Sequence, residues 1–262
     1  MVVLAYDGLL GEAAAMAPTF RAAEPFPHAV IDGLFDDESL SRALDAFPAP
    51  DATAWYQYDN PLERKLAWPH VQSFAPELRA VFGELHSPRF ISFVEALTGI
   101  DGLVPDDDLV GAGLHQIEPG GHLDVHVDSN HHPVTMLDRR VNVLVFLNRD
   151  WRPGYGGHLE LWDSAVTAPV RRILPVFNRT VIFASTDDAN HGHPEPLACP
   201  PGRSRKSLAV YFYTRGRPER ERSAPHSTIY KRRPQDPDDD ALEALRARRT
   251  RGRLADRTTA DR

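Results

Sequence analysis

The chain has 262 residues and a formal net charge of −7, a balance that argues against a general binder of nucleic acid or anionic membranes. Its 42% hydrophobic and 26% charged content fit a globular protein with enough chain for one or two domains and a sizeable core. Cys199 is the only cysteine, so no intramolecular disulfide can form, which suits a reducing cytoplasm. It sits in a Pro-rich loop, ACPPG, and is not assigned a catalytic role. Lysine occurs only at positions 65, 206 and 231, and the dominance of arginine is associated with a GC-rich, bacterial genome.

The opening segment MVVLAYDGLLGEAAAM lacks a basic stretch and carries Asp7 and Glu12, so no signal peptide is expected. No apolar run is long enough to span a bilayer. Residues 36–47 (DDESLSRALDAF) begin with acidic side chains and continue with helical apolar spacing, which predicts a helix. Residues 54–58 (AWYQY) predict a strand. Residues 76–97 predict two helices broken near Ser87-Pro88. From residue 109 onward, short apolar runs are separated by Gly, Pro and Asn turns, as in a β-sandwich or barrel.

The expected class is therefore mainly β (α+β), in three parts. Residues 1–108 form a helix-rich supporting region, 109–216 a β core, and 217–262 a C-terminal extension that is partly helical or disordered. Asp238-Asp239-Asp240 favours a helix start before an Ala/Leu/Arg-rich stretch. The expectation there is a solvated helix and a frayed tail, with a partner-binding helix as the alternative. The tail after about Arg233 carries no candidate ligand and little apolar surface, so it is expected to be dispensable for chemistry.

Chemistry concentrates in residues 120–130, GGHLDVHVDSN. Residues two apart on a strand share a face, so one imidazole and one carboxylate could meet the same metal ion. Two overlapping pairs are present, His122/Asp124 and His126/Asp128, and simple alternation puts all four on one face. A further histidine from HGHPEP, His191 or His193, would complete two histidines and one carboxylate. That set binds one face of Fe(II) and leaves positions open for a cosubstrate and oxygen.

The elements that follow are specific in their order. They are RRVNVLVFLN (139–148), GGHLELW (156–162), PVFNRTVIF (175–183), HGHPEP (191–196) and SRKSLAVYFY (204–213). In this order and spacing, residues 110–214 resemble the Fe(II)- and 2-oxoglutarate-dependent dioxygenases, in particular the prolyl 4-hydroxylase-like branch. The resemblance implies a double-stranded β-helix (jelly roll) with N-terminal supporting helices. Its pattern Gly-Gly-x-Leu-x-x-His-x-Asp-x-Asn is matched by Gly120, Gly121, Leu123, His126, Asp128 and Asn130. It implies His126, Asp128 and His191 as the metal ligands and catalytic centre. Related halogenases carry a small residue where this chain has Asp128, which argues against halogenation.

The resemblance also places Arg205 at the basic position that neutralises the distal carboxylate of 2-oxoglutarate, a task suited to a planar two-pronged donor. Arg203 and Lys206 are the alternatives. Alternation aims Ser207, Ala209 and Tyr211 to the side of Arg205, and Lys206, Leu208 and Val210 away. Asn142, Leu144 and Phe146 are expected to line the cosubstrate pocket, with Gln116 as a further polar contact. Some family members have a tyrosine where Phe146 stands. Phenylalanine cannot donate that hydrogen bond, so part of the cosubstrate clamp must differ here.

The implied cofactors are Fe(II), 2-oxoglutarate and O2, with ascorbate as a candidate stimulant. The implied reaction is hydroxylation of an unactivated C–H bond of an amino-acid-like small molecule or peptidyl residue, releasing succinate and CO2. Desaturation or ring closure of a specialised metabolite by the same oxidising species is the alternative within the class, and a non-catalytic jelly-roll binding module the alternative outside it. The segment 129–138, SNHHPVTMLD, is a candidate lid, its His131 and His132 read as solvated, and the loop 152–156 is a candidate substrate entrance. The expected partner is a small-molecule or peptidyl substrate, with no nucleic acid and no membrane; the oligomeric state is left open.

Overall fold

The protein is described here from a computed structural model, which describes residues 9–52 and 55–252. Its helices are α1 (Leu9–Ala22), α2 (Asp37–Asp45), α3 (Pro76–Leu85), α4 (Pro88–Thr98) and α5 (Asp240–Gly252). The strands before the core are β1 (His28–Asp32), β2 (Tyr56–Asn60), β3 (Glu63–Trp68) and β4 (Val104–Pro105). Then come β5 (Gly113–Ile117), β6 (His122–Val127), β7 (Asp138–Phe146), β8 (Leu159–Trp162) and β9 (Pro169–Ile173). The last are β10 (Arg179–Ala184), β11 (His191–His193), β12 (Arg205–Thr214) and β13 (Ile229–Tyr230).

All thirteen strands join one antiparallel sheet in the order β1-β10-β7-β12-β5-β3-β6-β11-β8-β9, with β13 on β6, β2 on β3 and β4 on β12. The sheet curls into the jelly-roll core that the family resemblance implies. Strands from residues 1–108 and 217–262 belong to this same sheet. β1 pairs with β10, β3 bridges β5 and β6, and β13 pairs with β6.

The helices form as their caps dictate. The Asp36 carboxylate accepts the Ser39 amide at 2.8 Å to start α2, and the Ser87 hydroxyl accepts the Phe90 amide at 3.1 Å to start α4. Pro76 and Pro88 occupy first turns, where no amide donor is needed. Strand β2 begins two residues later than the predicted strand, whose Ala54 lies outside the described residues. Helix α1 was not anticipated; it packs on α4 through Leu9, Ala13, Ala17 and Phe20.

The outward side chains of β7 and β12, including Val143, Leu208, Val210 and Phe212, meet α4 through Phe90 and Phe93. Phe90 and Phe212 stack with centroids 6.2 Å apart. The helices thus cover the convex face in one apolar cluster and leave the concave face free. No helix among the described residues is long and apolar enough to cross a membrane.

Candidate active site

The concave face encloses a cavity of about 360 Å³. Its walls include His126, Asp128 and His191 towards one end and Arg205 with Ser207 on β12. Strand pairing sets His191 directly opposite His126. One ligand atom from each of His126, Asp128 and His191 lies within 4.8 Å of the others. Nε2 of His126 is 3.6 Å from one Asp128 oxygen, and Nε2 of His191 is 3.5 Å from the other.

A β-bulge separates the two overlapping His/Asp pairs. His191 pairs with His126 while His193 pairs with Leu123, so β6 spends three residues where β11 spends two. The extra residue resets the alternation. Leu123, His126 and Asp128 line the cavity, whereas His122 and Asp124 leave it. His122 Nε2 lies 3.2 Å from the Pro61 carbonyl, and Asp124 lies 3.7 Å from Arg246. The one-face expectation for all four side chains is therefore corrected.

Both histidines are oriented from behind. Nδ1–H of His126 donates to the Asp124 carbonyl and Nδ1–H of His191 to the Ala189 carbonyl, each at 2.8 Å. A carbonyl can only accept, so Nδ1 carries the proton and the Nε2 lone pair faces Asp128. Burial lowers the His191 pKa to about 4, with His126 adding to the effect, so the ring is neutral as a metal ligand must be. Asp128 accepts from Arg139 at 2.9 Å and Asn142 at 2.8 Å. Burial alone would raise its pKa, but its partners, the Arg139 guanidinium foremost, outweigh it and hold the carboxyl well below its ordinary range. Two oriented imidazoles and one fixed carboxylate suit a divalent first-row metal with open coordination positions.

Arg205 is buried, and no acidic side chain among the described residues pairs with it. Its Nε–H donates to the Gly157 carbonyl at 2.8 Å, and its guanidinium carbon lies 4.9 Å from the centroid of the Phe146 ring. Gly157 has φ +70°, and a Cβ there would come within 3.0 Å of the Arg205 side chain, so the glycine is what lets the two segments meet. Burial lowers the Arg205 pKa to about 9, which leaves it cationic at neutral pH. A desolvated cation without a counter-ion at one side of a cavity is a receptor for an anion. The donor set and this cation fit an iron centre with a dicarboxylate cosubstrate.

The remaining sequence candidates fall in different places. Asn142 and Leu144 line the cavity, but the Asn142 amide is engaged with Asp128 and Arg139. Phe146 lies behind, against Arg205. Gln116 is corrected: its amide donates to Ser204 at 2.7 Å on the outer side of β5, while its neighbours His115 and Ile117 face the cavity. The alternation of β5 carried that information.

Arg203 bonds the Arg149 carbonyl at the surface, and Lys206 donates to Ser204. None of residues 152–156 lines the cavity; Tyr155 packs with Trp151, Leu197 and Cys199. His131 and His132 are buried rather than solvated. His131 lines the cavity, while His132 accepts two amides of its own turn and faces Asp106. Sequence reasoning did not single out Glu63, Lys65, His115 or Tyr230, all of which line the cavity.

Comparison with known proteins agrees with this geometry. Residues 112–213 match the family model of the 2OG-Fe(II) oxygenase superfamily. The chain contains a 2OG-Fe(II) oxygenase domain. The cofactor and cosubstrates of such a domain are Fe(II), 2-oxoglutarate and O2. Among solved structures, a Pseudomonas putida prolyl 4-hydroxylase is similar at 18% identity and a TM-score of 0.57, covering 78% of this chain and 100% of that one. A Trichoplax adhaerens prolyl hydroxylase, solved with a hypoxia inducible factor peptide fragment, is similar at 16% and 0.58, covering 78% and 90%. A Phytophthora capsici prolyl 4-hydroxylase is similar at 21% and 0.56, covering 81% and 66%. At these identities the likeness is one of fold, and it places the oxygenase domain on a prolyl-hydroxylase-like jelly roll. A search of curated proteins finds no match.

Proposed function

We propose that this oxygenase hydroxylates an unactivated C–H bond of an amino-acid-like small molecule or a peptidyl residue. In this reading His126, Asp128 and His191 hold the iron, and Arg205 receives the distal carboxylate of 2-oxoglutarate. The observation that carries it is the union, in one cavity, of an oriented His/Asp/His set and a buried arginine with no counter-ion among the described residues. When bound, the metal centre activates oxygen at the expense of 2-oxoglutarate, which leaves as succinate and carbon dioxide.

The protein's own residues do the rest. Nδ1–H bonds fix both imidazoles, Arg139 and Asn142 fix the carboxylate, and the apolar walls at Leu123, Leu144, Leu159 and Phe183 exclude water from the reacting centre. The outer walls carry Lys65, Glu63, Tyr58, Tyr213 and Tyr230, which favours a polar substrate over a hydrocarbon one. The peptide held by the Trichoplax neighbour is consistent with a peptidyl substrate. A cytoplasmic, bacterial setting completes the reading and rests on the single cysteine and the arginine-rich composition.

The test is succinate formation from 2-oxoglutarate with Fe(II), with and without pooled amino acids and short peptides, and mass spectrometry of the pool. Substrate-stimulated succinate and a product heavier by one oxygen atom support the reading. A product short of two hydrogens points to desaturation or ring closure. No succinate under any condition sinks it in favour of a binding module.

A further inference from the structure

The clamp around Arg205 lacks the hydroxyl donor that a tyrosine at position 146 would supply. Gln116 does not replace it, because its amide is spent on Ser204 outside the cavity. His115 does not either, since its ring is engaged with the backbone of Gly111. Another polar group of the cavity wall stands open. His193 is 4% exposed, lines the cavity, and has neither Nδ1 nor Nε2 hydrogen-bonded.

A buried polar group without a partner costs free energy, so it needs either a purpose or a ligand. Strand alternation points it inward: His191 and His193 stand two apart on β11, and both line the cavity. Gly192 between them is pressed so closely on the Leu123 and Asp124 carbonyls that the strand has little room to turn the ring elsewhere. Arg205 lines the same cavity, so the ring shares its surroundings with a cation that has no counter-ion among the described residues.

We infer that His193 is a cosubstrate-binding residue, donating an N–H bond to the distal carboxylate of 2-oxoglutarate alongside Arg205. The inference rests on the proposed role of Arg205. A neutral imidazole carries one N–H, and a carboxylate accepts several bonds, so two donors of different geometry fix its plane as well as its position. This makes His193 a specificity residue for a dicarboxylate over a monocarboxylate 2-oxoacid.

The experiment is anaerobic calorimetric titration of the Fe(II)-loaded protein with 2-oxoglutarate and with 2-oxopentanoate, which has a methyl group in place of the distal carboxylate. In His193→Leu, the dissociation constant for 2-oxoglutarate should rise about tenfold while that for 2-oxopentanoate stays within about twofold. His193→Gln, which keeps an N–H donor, should recover part of the loss. Melting of the metal-free variants should show them folded, since the substitution breaks no hydrogen bond. Unchanged 2-oxoglutarate affinity in His193→Leu, or equal weakening for both acids, overturns the inference. A different pattern marks failure of the underlying reading: Arg205→Met would then retain the wild-type preference for the diacid.

Discussion

Arg139 lies over the ring of Tyr211, 3.4 Å from its centroid, and from there reaches Asp128 at 2.9 Å. The stacking holds the guanidinium in one plane, and its Nε–H donates to Asn142, which itself donates to the same Asp128 oxygen. The carboxylate is thus fixed through one oxygen, and the other is left towards His126. Arg139→Met removes this support without touching a ligand. Fe(II) affinity should fall by roughly 10- to 100-fold, with Arg139→Lys intermediate. Calorimetric Fe(II) titration decides it, and an unchanged affinity would show that Asn142 alone suffices.

The strand that carries the distal histidine is tightly placed. A Cβ on Gly192 would stand 2.8 Å from the Leu123 carbonyl and 2.9 Å from that of Asp124. Backbone atoms cannot yield as a side-chain tip can, so Gly192→Ala should push β11 from β6 and part His191 from His126. A loss of about 1–3 kcal/mol in stability and a clear loss of Fe(II) affinity are expected. Urea unfolding of the metal-free protein and Fe(II) titration measure the two effects, and normal metal binding would mean that β6 follows β11.

Much of this site is legible in the sequence. The spacing of His126 and Asp128, the HGH run and the alternation on β12 all report local backbone geometry, and local geometry is what sequence periodicity encodes. The bulge is not legible, because it depends on where β11 pairs with β6. So alternation alone left His122 and Asp124 level with the pair that faces the cavity. Lys65 and Glu63 escaped notice because β3 lies about fifty residues before the core and joins it only by long-range pairing. Gln116 differs: its outward direction is legible, because it stands on β5 between two inward neighbours, His115 and Ile117.

Asp124, turned out of the cavity, gives a pH-dependent test. Burial raises its pKa from an ordinary 3.8 to about 6, with Asp236 adding to the effect and His122, Arg233 and Arg246 opposing it. Below about pH 4 the carboxyl is protonated in both folded and unfolded chains and costs nothing. As pH rises from 4 to 6 the unfolded chain loses its proton first, so folding stability falls, and the full penalty stands above pH 6. Asp124→Asn should therefore gain on the order of 1–3 kcal/mol at pH 7.5 and nothing at pH 4. Denaturant unfolding at both values checks it; an equal gain at each would assign the effect to packing.

Gln116 and Arg205 make a contrasting pair. Gln116→Ala should leave 2-oxoglutarate affinity within about twofold, because its amide bonds Ser204 outside the cavity. Arg205→Ala should weaken binding by about 2–5 kcal/mol, since the distal carboxylate would be left buried and unpaired. Titration of 2-oxoglutarate into both variants measures this, and equal weakening would place the anchor elsewhere.

The C-terminal helix reads as a solvated appendage, and its charges suggest as much, yet two of its arginines reach buried carboxylates outside the helix. Arg246 is 4% exposed; it donates to Asp236 at 3.1 Å and Glu243 at 2.7 Å and lies 3.7 Å from Asp124. Arg249 donates to Glu63, whose other oxygen lies 3.1 Å from Lys65, and the Ser227 hydroxyl donates to the Arg249 carbonyl at 3.3 Å. Glu63 and Lys65 belong to the cavity wall, so α5 backs that wall from outside. Ending the chain at residue 239 would take one of two cations from a fully buried carboxylate and leave Asp124 and Asp236 facing each other without Arg246. Stability should drop by about 3–5 kcal/mol, the usual result of removing one partner from a buried ion pair. Fe(II) affinity should survive, because no candidate ligand is lost, while substrate-stimulated succinate formation should fall. Urea unfolding, Fe(II) titration and turnover of the truncated protein separate these effects. An unchanged unfolding midpoint with full turnover would return α5 to the role of a dispensable tail.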